Sequence, residues 1–229
     1  MSVELLEIRG CDYADFDSSL SYSAELWREA TGRKNLRNRK DWEFVTMVNF
    51  ALLHAGQLKR VLDAACGTEP LVDWLASVSD EVIAADKWEP AYLRAAGIEL
   101  ESFLSHWQLL PNVKPVVMDS MRLDYLDNIF DASFCVSSIE HFGPEDGWHD
   151  GAFVAVSEMI RVTKPGGLIA FSTEVNPTAE TDTWYFTAGG LARFLEHLTG
   201  GPPSRKYETP DGNDNKEGVY PVAIALKKL

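Results

Sequence analysis

Short apolar runs alternate with helical stretches from Arg60 to Leu198, and no other feature of the chain limits its possible folds so strongly. The segments Arg60 to Ala64, Glu81 to Asp86, Pro115 to Met118, Phe130 to Val136 and Leu168 to Ser172 read as strands, being brief and rich in Val, Ile, Ala and Phe. Between them, helical spacing is carried by Leu71, Trp74 and Leu75 behind a Thr68 cap, by a segment from Pro90, by another over Leu100 to Leu110, and by Phe153, Val156 and Ile160. Pro165-Gly166-Gly167 stops the last of these, and Leu191 to Leu198 forms a helix after the fifth strand. Strands joined by helical crossovers run parallel, so a mainly parallel sheet covered on both faces is expected.

Upstream, Phe44, Met47, Val48, Ala51 and Leu52 mark an amphipathic helix capped by Asp41 and ended by Gly56. Residues 1–57 therefore read as an N-terminal helical cap or lid on a domain spanning 58–229. Downstream, Arg205 to Tyr207 and Val219 to Leu226 alternate as strands across a loop from Glu208 to Gly218, too short for a helical crossover. The final strand should therefore be antiparallel, closing the sheet with a C-terminal hairpin.

A chain of 229 residues is one large domain on length alone. Acidic residues outnumber basic ones 35 to 21, and the formal charge of −14 repels phosphate backbones and anionic membranes. Nucleic-acid and membrane partners are disfavoured accordingly. Cys11, Cys66 and Cys135 lie far apart without metal-ligand spacing, which suits a reduced, cytoplasmic chain with no metal. No basic, then apolar, leader opens the sequence, and no apolar run approaches the roughly 18 residues of a membrane span.

Open α/β sheets bind ligands at the carboxyl ends of their strands. Those ends carry Asp63 with the Ala64-Ala65-Cys66-Gly67 turn, then Asp86, Asp119-Ser120, and Ser137-Ser138-Ile139-Glu140-His141. Small residues in the first turn let backbone approach a ligand closely. Asp86 follows Gly67 by 19 residues, near the spacing at which a carboxylate meets ribose hydroxyls. A nicotinamide site would want G-x-G-x-x-G where this chain has Ala64-Ala65-Cys66-Gly67-Thr68-Glu69, and no P-loop pattern occurs.

Four segments together resemble a class I S-adenosylmethionine-dependent methyltransferase of the small-molecule group called type 11. They are Val61 to Thr68, Val82 to Asp86, Val116 to Leu123, and Phe130 to Gly143 with Arg161 to Thr173. The resemblance implies a Rossmann-like, seven-stranded sheet with S-adenosylmethionine as cofactor. It further implies that Asp63 and the Ala64-Ala65-Cys66-Gly67 turn hold the cofactor's methionine end, that Asp86 binds its ribose, and that Asp119 meets the adenine amine with Ser120 and Met121 beside the ring. Lys87, Trp88 and Ser137 complete the candidate cofactor set, Trp88 either stacking on adenine or covering the next helix. Two positions depart from the family's D-x-G-C-G-x-G turn. Ala65 replaces the first glycine, tolerable at negative φ and costly at positive φ, and Glu69 replaces the last.

His141 is the candidate general base, with Glu140 beside it to raise its pKa or orient its ring; the alternative is that His141 packs by the cofactor or caps a loop. Some relatives bind a divalent metal through E-x-x-E-H here, but Ser137 stands at the first of those positions, so no metal site carries over. The basic run Arg33, Lys34, Arg37, Arg39 and Lys40 reads as a solvated face, or else as a lid contacting an anion, with Tyr22, Trp27 and Trp42 as apolar walls. Trp184-Tyr185-Phe186 suits an acceptor pocket or the core equally. Methyl transfer to an oxygen or nitrogen of a small molecule is the expected function. The alternative is a binding or scaffold protein that keeps the fold and has lost transfer through Ala65 and Glu69; a dinucleotide oxidoreductase is the least supported.

Overall fold

The computed structural model describes residues 2–34, 36, 38–142, 150–180, 185–201 and 218–229. Its strands are β1 (Val3–Gly10), β2 (Arg60–Ala64), β3 (Glu81–Asp86), β4 (Val113–Val117), β5 (Phe130–Cys135), β6 (Thr163–Val175) and β7 (Tyr220–Lys228). Its helices are α1 (Ser21–Thr31), α2 (Arg39–His54), α3 (Leu71–Val78), α4 (Pro90–Ala96), α5 (Leu100–Gln108), α6 (Asp150–Val162) and α7 (Ala188–Thr199), with 3-10 turns at Tyr13–Asp17 and Ile139–His141. All seven strands form one sheet in the order β1-β7-β6-β5-β2-β3-β4. β7 alone runs against the rest, antiparallel to both β6 and β1.

Alternate residues of each strand feed two cores, because successive side chains leave opposite faces of the pleat. Val61, Val82, Ala84, Phe134 and Ala170 pack with Trp27, Trp42, Phe50 and Trp74 on the face covered by α1, α2 and α3. Leu62, Ile83, Cys135, Ile169 and Phe171 pack with Met159, Leu191 and Phe194 under α6 and α7. From β2 the chain steps outward through β3 to β4, then returns to lay β5 along the other edge of β2. That reversal opens a crevice above the carboxyl ends of β2 and β5, where open sheets bind ligands.

Several local expectations are corrected. The helical reading of residues 1–57 omits β1, whose Leu5-Leu6 pair breaks simple alternation; a register shift between Leu5 and Glu7 absorbs the extra residue as a bulge. Arg205 to Tyr207, expected as the hairpin partner of the last strand, lies outside the described residues. Both edges of β7 are taken, one by β6 and one by β1. The cap of α2 is Asn38, whose side chain accepts from Asp41 N–H at 2.9 Å, whereas Asp41 is buried with Arg33 at 2.8 Å. Leu52 is exposed, and α3 starts behind Pro70 without a Thr68 cap. Finally, α6 ends at Val162, and Pro165-Gly166-Gly167 lies inside β6, where pairing jumps from Phe130 with Thr163 to Ala132 with Leu168.

Candidate functional site

The first turn leaves β2 through Asp63, which is 2% exposed. No hydrogen bond to its carboxylate is found among the described residues, and burial, reinforced by Asp86 and Glu69, holds its pKa well above the usual carboxylate range. Such a carboxyl lacks a cation. Ala65 has φ 52° and Gly67 φ 55°, so the turn uses the left-handed region twice, once at a residue with a Cβ. A Cβ built on Gly67 would meet only Glu69 Cγ, at 3.9 Å, so backbone there stays open to a ligand. Beside this turn a groove of about 390 Å³ opens toward α5, lined by Arg33, Glu69, Asp73 and His106 among others.

Asp86, the last residue of β3, closes the turn from the side. Its Oδ2 accepts from Gly67 N–H at 2.9 Å and its Oδ1 from Trp88 N–H at 2.6 Å. Each carboxylate oxygen has a second lone pair, so both bonds coexist with a ribose hydroxyl. Trp88 (φ 42°) sends its indole into the core against Trp107, with Nε1 donating to Gly67 carbonyl oxygen at 2.7 Å. At 5% exposure the ring is structural there, and only the backbone of Trp88 faces Asp86. Past β4, Asp119 accepts from Met121 N–H at 2.8 Å and pairs with Lys87 at 2.9 Å, while Ser120 is buried. Asp63, Asp86 and Asp119 thus stand at the ends of three adjacent parallel strands.

Across the crevice, Ser137 follows β5 with φ 49°. Its N–H donates to Ser172 Oγ at 3.0 Å, and Ser172 Oγ donates in turn to Glu43 Oε1 at 2.7 Å. Ser138 Oγ reaches Ala65 carbonyl oxygen at 3.4 Å, tying this loop to the first turn. Glu140 is buried, accepts from Thr173 Oγ1 at 2.9 Å, and is pushed up to about 8 by burial and by Glu43 and Glu174. His141 is half-exposed, with Nε2 4.0 Å from Glu140 Oε1. Burial and Lys40 lower its pKa, so the expectation that Glu140 would raise it is corrected: a carboxyl itself largely protonated at pH 7 contributes little negative charge. His141 is therefore neutral at pH 7, as a base must be.

The family profile for the methyltransferase domain matches residues 62–171. That span is just under half of the chain, and over it the chain is similar to the class I S-adenosylmethionine-dependent methyltransferases. A malonyl-(acyl-carrier protein) O-methyltransferase of Buchnera aphidicola subsp. Baizongia pistaciae (strain Bp) is 31% identical over 113 residues, 49% of this chain and 38% of that protein. Methyltransferase GfsG of Streptomyces halstedii is 28% identical over 153 residues, 62% of this chain and 49% of that protein. The chain thus spans less than half the length of either curated relative. The N-methyltransferase NodS from Bradyrhizobium japonicum WM9, solved with S-adenosyl-L-homocysteine, shares the fold at a TM-score of 0.53 and 13% identity, over 90% of this chain and 98% of that one.

Two members of the basic run, Arg39 and Lys40, turn toward buried carboxylates, while Arg33 and Lys34 stay exposed as a solvated face. Arg39 pairs with the buried Glu174 at 2.9 Å, Lys40 stands 3.8 Å from the buried Glu43, and Arg37 lies outside the described residues. Trp27 and Trp42 are wholly buried, so they are core and not lid walls, and Tyr22 is exposed. Phe186 is core as well, Tyr185 is partly buried, and Trp184 lies outside the described residues. Sequence reading missed Glu43, Ser172, Thr173 and Glu174. One signal was available: Glu43 precedes Met47 and Phe50 at i+4 and i+7, an acid on a face whose next two members are fully buried.

Proposed function

We propose that this protein moves a methyl group from S-adenosylmethionine to an oxygen or nitrogen of a small-molecule acceptor bound above β2, β5 and β6. The reading is carried by Asp63: a buried carboxyl at the end of β2, without a hydrogen-bond donor among the described residues, beside a turn whose backbone is open. Its missing counter-charge fits the ammonium of an amino-acid moiety, and the backbone from Ala64 to Gly67 fits the adjoining carboxylate and sulfur. Asp86 would bind the ribose hydroxyls. Asp119 would meet the adenine amine, with Ser120 and Met121 at the ring and Lys87 and Trp88 holding the loops. When bound, the cofactor supplies the electrophilic methyl group and a neutral thioether leaving group.

The remaining work is orientation and removal of a proton. His141, neutral at pH 7 and half-exposed, is suited to take a proton to solvent, and Glu140 lies beside it. Residues 1–57 would serve as the cap through Arg39, Lys40 and Glu43, which reach the ends of β5 and β6. The formal charge of −14 favours a small acceptor over a nucleic acid. Thermal unfolding with S-adenosylhomocysteine, and separately with oxidised nicotinamide dinucleotide, tests the reading. Ligand at 100 times its dissociation constant adds about 2.7 kcal/mol to stability. Protection by the first alone is expected; protection by neither would leave the scaffold alternative.

A further inference from the structure

Glu43 is an acid in a stretch of α2 whose other members are core: Trp42, Phe44, Val45 and Met47 are all buried, and so is Glu43. A carboxyl taken out of water costs free energy unless its oxygens are bonded, and here one of the two is. Oε1 accepts from Ser172 Oγ at 2.7 Å, whereas Oε2 has no hydrogen-bond partner among the described residues, with Lys40 Nζ 3.8 Å away. Ser172 shares a face of β6 with Leu168 and Ala170, which pack on the side covered by α2, because alternate residues of a strand share a face. β6 runs on past the last paired residue of β5, Cys135 with Phe171, so Ser172 meets the loop that leaves β5. There Ser137 N–H donates to Ser172 Oγ at 3.0 Å and also reaches Ser172 carbonyl oxygen at 3.2 Å. Ser137 has φ 49°, a conformation that a residue with a Cβ keeps only where its surroundings hold it. The next residue, Ser138, reaches Ala65 carbonyl oxygen at 3.4 Å, and Ala65, at φ 52°, belongs to the turn after β2. Asp63 of β2 lies in register with Phe134 of β5, so the two loops start side by side.

A serine hydroxyl has one proton to give and lone pairs with which to accept, so what it gives to decides what it can take. An ionised carboxyl can only accept, so Glu43 draws the proton of Ser172 and leaves the lone pairs of Oγ to Ser137 N–H. Burial raises the pKa of Glu43 against Lys40 and Arg39, but a proton carried on Oε2 still leaves Oε1 an acceptor, and the direction of the bond is the same in either state. We propose, resting on the cofactor reading of the crevice given above, that Glu43 is a positioning residue for the cofactor: through Ser172 it holds Ser137 in its left-handed conformation and so fixes the loop that walls the crevice opposite the Ala65 turn. α2 then shapes the cofactor site through one carboxyl oxygen, beyond covering it. An apolar residue in place of Glu43 would suit the burial and lose that control, which gives the acid a reason to stand where burial disfavours it.

Three variants of the full chain test the relay. Glu43→Leu and Glu43→Gln both nearly keep the size of the side chain, but only glutamine keeps an oxygen for Ser172, and Ser172→Ala removes the middle of the chain of bonds. In calorimetry, S-adenosylhomocysteine should bind Glu43→Leu and Ser172→Ala at least about 5-fold more weakly than wild type, and Glu43→Gln within about 2-fold of it. A carboxyl that served stability alone would lower the urea midpoint when replaced by leucine; the relay instead predicts weaker binding with a midpoint at or above that of wild type. Amide hydrogen exchange reads the relay without a ligand. Exchange at Ser137 should be about 10-fold faster in Glu43→Leu, while Gly67, whose N–H is held by Asp86, keeps its wild-type rate. Failure of wild type to bind S-adenosylhomocysteine would refute the cofactor site rather than the relay, which Ser137 exchange then decides. Wild-type affinity in Glu43→Leu, a Glu43→Gln variant as weak as Glu43→Leu, or Ser137 exchange that ignores Glu43→Leu would overturn the proposal.

Discussion

Asp86 fastens Gly67: its Oδ2 accepts the Gly67 N–H at 2.9 Å while its Oδ1 holds Trp88 N–H at 2.6 Å, so one carboxylate sets the conformation of two turns. Both turns carry left-handed residues that would relax without it. Asp86→Ala should therefore lower stability by about 1 to 3 kcal/mol from two lost charge-assisted bonds and abolish protection by S-adenosylhomocysteine. Asp86→Asn, keeping one acceptor oxygen, should fall between. Chemical denaturation with and without ligand separates the two losses; protection surviving in the alanine variant would remove Asp86 from the cofactor site.

Ala65 sits at φ 52°, where an L-residue with a Cβ is strained by about 1 to 2 kcal/mol. Glycine relieves that strain but adds unfolded-state entropy of about 0.5 to 1 kcal/mol. Ala65→Gly should then stabilise the protein by up to about 1 kcal/mol, read as a higher denaturation midpoint at unchanged slope. A loss of stability would mean that the methyl group makes contacts outweighing the strain.

The alternation of apolar runs and helices made β2 and β3 legible to the residue, and β4 and β5 to within two, because buried parallel strands are continuous apolar runs with few ways to be misread. β1 was not legible, since Val3 to Gly10 is an antiparallel edge with a bulge that breaks its alternation. The aspartates at the strand ends could be found from position alone. Glu43 could not be assigned to the site, because its partner Ser172 is 129 residues away and only the packing of α2 on β6 brings them together. Trp88 misled for the opposite reason: its position suits adenine, but its left-handed backbone turns the ring inward toward Trp107.

Asp63 is held toward its protonated form by burial first and by Asp86 and Glu69 second. An ammonium arriving beside it favours the ionised form, so binding of S-adenosylhomocysteine should release a proton, and affinity should rise with pH until Asp63 ionises unaided. Calorimetry in two buffers of different ionisation enthalpy counts that proton. Asp63→Asn should bind at least 10-fold more weakly with no proton released; equal release from this variant would assign the proton elsewhere.

Gly167 provides a control away from the crevice. A Cβ there would lie 2.6 Å from Thr163 Cγ2, 2.7 Å from Asp131 carbonyl oxygen and 2.9 Å from Lys164 carbonyl oxygen, two of which are backbone and cannot rotate aside. Gly167→Ala should cost about 1 to 3 kcal/mol through the shift forced on β6. S-adenosylhomocysteine affinity at a temperature where the variant is folded should be unchanged, because the clash lies at the amino end of β6. An affinity loss as large as that of Asp86→Ala would show that the strand end transmits strain to the site.

Glu140 makes stability depend on pH with a defined sign. Its folded pKa is raised from 4.5 to about 8, so between those values the folded state binds more protons than the unfolded chain. Stability therefore falls as pH rises through this window, by at most about 1.4 kcal/mol per pH unit for one group. Glu43 and Asp63, also raised by burial, act in the same direction. His141, whose pKa is lowered, acts oppositely, and its contribution fades as pH rises above its ordinary 6.5, so the falling slope from Glu140 is read most cleanly toward pH 8. Glu140→Gln cannot ionise, and its stability should decline less steeply than wild type over that window in urea titrations. Parallel wild-type and variant curves would mean that Glu140 ionises at its ordinary pH in spite of its burial beside Glu43 and Glu174.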